Sequence, residues 1–156
     1  MNFRVPIIWL TTDGRKPIDR SEIAHPFIEV EVAQDIGGNE VNWVRTFALV
    51  DTGSTFGQLE KEILLQLNVN SIGTREISGN SGVTTIGTYQ ICWRFACNPN
   101  CIISEKSGLL EHPLTTPQAK AAIGMSILQY GILSLNGLYS DSFFEFHASY
   151  TGTPVK

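Results

Sequence analysis

The sequence predicts a mostly β, single-domain protein, and three observations carry that prediction. Apolar residues come in short runs or alternate with polar ones, the two patterns of β-strands. The 14 glycines and 7 prolines are scattered rather than periodic, which suits short strands joined by turns. Only residues 59–67 and 125–130 read as helix, so one or two short helices are expected. A chain of 156 residues is long enough to bury about two thirds of its unfolded surface in one core. It contains no internal repeat and no low-complexity tract.

Residues 3–11 predict a first strand, closed by the Asp13-Gly14 turn, and residues 15–24 are polar loop. Residues 26–32 alternate apolar and acidic side chains, a half-buried strand with one wet face. Gly37-Gly38-Asn39 turns the chain, and residues 41–50 return as its hairpin partner. Leu59, Ile63, Leu64 and Leu67 follow the 3.6-residue period of one short helix. Residues 71–77 and 83–95 predict a second hairpin with a pliable tip, Ser78-Gly79-Asn80-Ser81-Gly82. Residues 96–117 read as loop, with an inner strand at 101–103. Residues 119–123 lead into Gly124 and a short helix, and strands at 132–135 and 143–147 close the chain around an Asn136-Gly137 turn.

The chemistry concentrates at one place. Phe47-Ala48-Leu49-Val50 is a buried strand that runs straight into Asp51-Thr52-Gly53-Ser54. A carboxylate at the edge of an apolar core is costly unless it is hydrogen-bonded, paired or partly protonated. Gly53 lets the backbone turn tightly and bring its N–H to the acid, and Thr52 offers a hydroxyl to a neighbouring segment. On this tripeptide alone a plain turn and an active site are both open.

Other classes find little support. A net charge of −4 without a basic cluster gives no footing for nucleic acid or for an anionic membrane. The run Ile7-Ile8-Trp9-Leu10 is too short to be an export or membrane segment. Three cysteines, Cys92, Cys97 and Cys101, cannot all pair within one chain, which fits a reducing compartment and a cytoplasmic location. With His112 they would supply four zinc ligands, but the spacing matches no common zinc module, so free thiols and no metal are expected. His25 and His147 stand alone.

In their order these parts resemble the retropepsin-like aspartic proteases, the small single-domain relatives of retroviral protease that also occur as free-standing proteins. The resemblance rests on residues 47–54, on the 77–83 hairpin tip, and on Ala122-Ile123-Gly124-Met125-Ser126-Ile127-Leu128. It implies a closed acid-protease β-barrel over residues 26–150, an N-terminal extension over 1–25 that offers a dimer or edge strand, and a tail over 151–156. Ser54 stands where many retroviral members carry alanine, residues 96–117 are long for the family, and residues 1–25 have no assured counterpart.

The family's reaction needs two carboxylates sharing one proton. This chain has one Asp-Thr-Gly; neither Asp13-Gly14 nor Asp141-Ser142 repeats its order or its strand. The resemblance therefore implies a homodimer in which two copies of Asp51 activate a water against a peptide bond, with no cofactor. Thr52 would brace the partner's loop, Gly53 would contact the peptide, and Ser54 would hydrogen-bond the charged carboxylate. Ser78, Gly79, Asn80, Ser81 and Gly82 would form a flap over the substrate, and Ile123 and Gly124 would support the Asp51 loop. The alternative function is a catalytically silent module of the same fold that dimerises or binds peptides.

Overall fold

The structure, a computed structural model, describes residues 2–136 and 141–147. The expected first strand is two, β1 (Asn2–Pro6) and β2 (Ile8–Thr11). The break falls after Pro6, which has no N–H to give to a ladder. The Ile7 amide instead donates to the Ser142 carbonyl at 3.1 Å. Next come β3 (Ala24–Gln34) and β4 (Val44–Val50), paired antiparallel with Phe27 opposite Leu49. β4 starts three residues later than expected, because Gly37, Gly38, Asn39 and Asn42 all adopt positive φ and lengthen the turn.

A two-residue strand, β5 (Gln58–Leu59), leads into α1 (Lys61–Leu67). Leu59, Ile63, Leu64 and Leu67 are all buried, as their spacing predicts. The helix ends at Asn68 in the left-handed region, φ 51°. The second hairpin is β6 (Gly73–Gly79) and β7 (Gly82–Phe95), with Gly79 opposite Gly82 and Asn80-Ser81 as its loop.

Residues 96–117 differ from expectation. Most of them are a long strand, β8 (Asn98–Leu109), antiparallel to β7, and only 110–118 is loop. The polar run that looked like loop is a strand with exposed Ser104 and Lys106 alternating with enclosed Glu105 and Ser107. β9 (Ala119–Ile123), α2 (Met125–Leu128), β10 (Gly131–Ser134) and β11 (Phe143–His147) complete the chain. Gly137 of the expected last turn and the 151–156 tail lie outside the described residues.

β3 organises the sheet. One edge pairs with β4; the other pairs with β2 near its start and with β7 near its end. Pairing passes from β4 to β9, β5, β8 and β7, and so returns to β3 in a ring. Ile28, Val30, Val32, Leu59, Ile91, Trp93 and Ile123 are buried in one continuous core. A separate three-stranded sheet, in the order β1-β11-β10, packs on that core. Its Phe3, Phe144 and Phe146 meet Phe95 in a cluster with ring centroids 5.4 to 6.1 Å apart. Each fully buried ring contributes roughly 2 kcal/mol from its removal from water.

Candidate active site

The site begins with a parallel pairing. β4 and β9 run side by side in register, Leu49 with Ala122 and Val50 with Ile123. Both strands therefore end at the same level, one in Asp51 and the other in Gly124. The Asp51 amide continues the ladder, donating to the Ile123 carbonyl at 3.1 Å. Beyond that point the chain tightens: Ser54 N–H donates to the Asp51 carbonyl at 3.2 Å, and Gly53 N–H to Asp51 Oδ1 at 3.0 Å.

Gly124 clamps this loop from below. Met125 N–H donates to the Ser54 carbonyl and Ser126 N–H to the Thr55 carbonyl, each at 2.8 Å. A Cβ on Gly124 would lie 2.7 Å from the Ser54 oxygen and 2.6 Å from the Phe56 oxygen, so only glycine fits. Ile123 is fully buried beside it. The structure thus brings Asp51, Gly53, Ser54, Ile123 and Gly124 together.

Asp51 is half-buried at the mouth of a cleft of about 410 Å³. Asp51, Phe56, Gln58 and residues 53–55 supply one wall, and Arg75, Ile77, Ser78 and Ile86 of the β6–β7 hairpin supply the other. Among the described residues, Oδ2 of Asp51 has no hydrogen-bond partner. The same holds for the hydroxyl of Thr52, which is exposed. Ser54 differs from expectation: its Oγ donates to the Phe56 carbonyl at 2.7 Å, so it serves its own loop and not the carboxylate. Ser78 lines the cleft, whereas Gly79, Asn80, Ser81 and Gly82 are exposed at the hairpin tip.

A solved structure supplies the comparison. It is a retropepsin-like aspartic protease from Rickettsia conorii, 14% identical, aligned over 94% of this chain and 93% of its own with a TM-score of 0.56. No family model matches the sequence, and no curated protein does. The fold is retropepsin-like.

In this retropepsin-like fold none of the three thiols lines the Asp51 cleft. Cys92 and Cys101 are buried, Cys97 is exposed, and all three are free. Burial pushes the Cys92 thiol well up and Cys101 up to about 11, so neither supplies a thiolate at neutral pH. His112 does not join them. Among the described residues, the metal-ligand types that gather are Asp35, Glu40 and Cys92. There Asp35 already accepts from Ser104, Gln90 and the Gly37 amide.

Three neighbours of the site carry no signal in the sequence. Arg75 lays its guanidinium over the Phe56 ring, 3.3 Å from the centroid. That pair lines both the Asp51 cleft and a larger cavity of about 980 Å³, which Asp51 does not line. The third is Glu105, on a segment that read as loop.

Proposed function

We propose that this protein is an aspartic endopeptidase that works as a homodimer, with Asp51 of each subunit meeting at a shared two-fold axis. The observation that carries the reading is the Asp51 carboxylate itself. One of its oxygens is fixed by Gly53 and the other has no partner among the described residues, at the mouth of a cleft walled by a hairpin. Fold likeness to a retropepsin-like aspartic protease supports the reaction class. The protease unit on this reading spans 26–150, with residues 1–25 as an extension on its edges and 151–156 as a tail.

A single Asp-Thr-Gly offers half of the chemistry. Two facing carboxylates hold one proton between them. The charged one takes a proton from the water held between the pair as that water adds to the peptide carbon. The protonated one donates to the carbonyl oxygen, giving a neutral tetrahedral diol. On collapse the C–N bond breaks, the amine leaves with the proton of one acid, and a diol hydroxyl gives its proton to the other as it becomes the new carbonyl, so the pair again holds one proton. The substrate lies extended, adding its backbone to strand edges, while the β6–β7 hairpin closes as a flap and excludes water.

Activity is expected to depend on both dilution and pH. Monomers carry half a site, so specific activity falls as enzyme is diluted through the dimer constant. One shared proton gives a bell-shaped rate profile with its optimum on the acid side, roughly between pH 4 and 6.5. Initial rates across enzyme concentration and pH, with the dimer fraction measured by ultracentrifugation, test this. A concentration-independent rate with a plateau above pH 8 overturns it.

Thr52→Ala is expected to weaken the dimer while leaving monomer folding unchanged. Among the described residues the exposed hydroxyl has no hydrogen-bond partner, and on this reading it bonds across the two-fold axis. Each such bond is worth on the order of 1 kcal/mol, and symmetry doubles it. An unchanged dimer constant by analytical ultracentrifugation removes Thr52 from the interface.

A further inference from the structure

Glu105 is a half-buried carboxylate that hydrolysis between two Asp51 side chains does not use. It sits on β8 and is held by three donors. Gly57 N–H and Ser107 Oγ both donate to Oε1 at 3.0 Å, and the Ser126 hydroxyl donates to Oε2. Ser107 is fixed in turn by Trp93, whose indole Nε1 donates to its Oγ at 2.8 Å.

The donors come from three different places in the fold. Gly57 ends the loop that Asp51 begins, Ser107 is on β8 itself, and Ser126 is in α2, directly beyond the Gly124 clamp. Two further bonds run beside them: Gly108 N–H to the Gly57 carbonyl at 2.9 Å, and Ser126 N–H to the Thr55 carbonyl at 2.8 Å. The approach is close enough to exclude a side chain at position 57. A Cβ there would run into Glu105 Oε1 and come within 2.8 Å of the Trp93 ring.

We propose that Glu105 is a positioning residue for the Asp51 loop: it ties the far end of residues 51–57 to α2 and so fixes where the Asp51 carboxylate stands. The assignment rests on the peptidase reading above.

The brace works in either protonation state. Burial pushes the Glu105 carboxyl above its usual range, while its Ser126, Ser107 and Gly57 donors and the Arg75 charge pull the other way. If Oε2 gains a proton, it donates to Ser126 Oγ, which a hydroxyl accepts by rotating, and Oε1 keeps the Gly57 amide. The frame therefore persists on the acid side, where the paired carboxylates work. Glutamine has the same layout, with its carbonyl for Gly57 and its amide N–H for Ser126.

The test compares Glu105→Gln, Glu105→Ala and Ser126→Ala in the full chain. Glutamine is expected to keep kcat within about threefold, whereas alanine at 105 loses on the order of 10- to 100-fold in kcat with KM little changed, as for a misplaced reacting group. Ser126→Ala, which removes one leg, falls between them and decides the matter if Glu105→Ala does not fold. A second readout does not need activity. In an Asp51→Asn background, the NMR amide signals of Gly53, Ser54 and Met125 are expected to shift in Glu105→Ala and to hold in Glu105→Gln. Wild-type kcat and unmoved amides in a folded Glu105→Ala overturn the proposal, as does a glutamine variant as impaired as alanine. If the wild-type chain cleaves nothing, the peptidase reading fails, and the amide shifts still decide whether Glu105 places the loop.

Discussion

Asp51→Asn is expected to abolish peptide cleavage, with a rate loss on the order of a thousandfold or more, while fold and dimer survive. Asparagine has the same shape, and its Oδ1 still accepts the Gly53 amide that holds Asp51 at 3.0 Å. The backbone bond to Ile123 does not involve the side chain at all. What the amide cannot do is take a proton from water. On the homodimer reading each site would use both copies, so a dimer of one wild-type and one Asn subunit would be dead as well, and mixing excess variant into wild type is expected to extinguish activity through subunit exchange. Rates and sedimentation of the variant and of mixtures check this. Cleavage above about one per cent of wild type removes Asp51 from the chemistry.

Gly124→Ala is expected to cost several kcal/mol of stability, on the order of 3, and to take the site with it. The cause is space and not backbone angle, since Gly124 has φ −106°, open to any residue. Its Cβ would stand 2.6 and 2.7 Å from two carbonyl oxygens, and both belong to backbone that cannot rotate away. The Ser54 carbonyl is also the acceptor for Met125 N–H, so pushing the loops apart breaks the clamp that sets the Asp51 turn. Urea denaturation read by circular dichroism checks the loss. A midpoint equal to wild type contradicts the packing described here.

Part of this arrangement was legible in the sequence for physical reasons. Asp51 announces itself because an apolar strand that ends in an acid needs an explanation, and the glycine after it supplies one. The helix at 61–67 is equally plain, since its buried face is a 3.6-residue pattern. Gly124 is visible as a glycine after an apolar run, although the two carbonyl oxygens that require it lie some seventy residues upstream. β8 was hidden by its own chemistry. Its Glu105 and Ser107 are tolerated inside only because Trp93, Gly57 and Ser126 satisfy them, and those partners come from other parts of the chain. Ser54 misled for the same reason: its spacing allows a bond to the carboxylate, and only the three-dimensional turn sends the hydroxyl to Phe56.

The pairing of β1 with β11 has a consequence for how the molecule comes into being. Arg4 meets Glu145 across 141 positions of chain, and Val5 lies opposite Phe144. A strand cannot pair with a partner that has not been synthesised. Residues 2–6 leave the ribosome ahead of the ring from β3 to β9 and wait, and every member of that ring is made before β10 and β11. Closing so long a loop also makes this the most demanding contact entropically. The aromatic cover over Phe95 is therefore the last part to be laid, and any site that depends on the finished fold arises only after translation has passed residue 147.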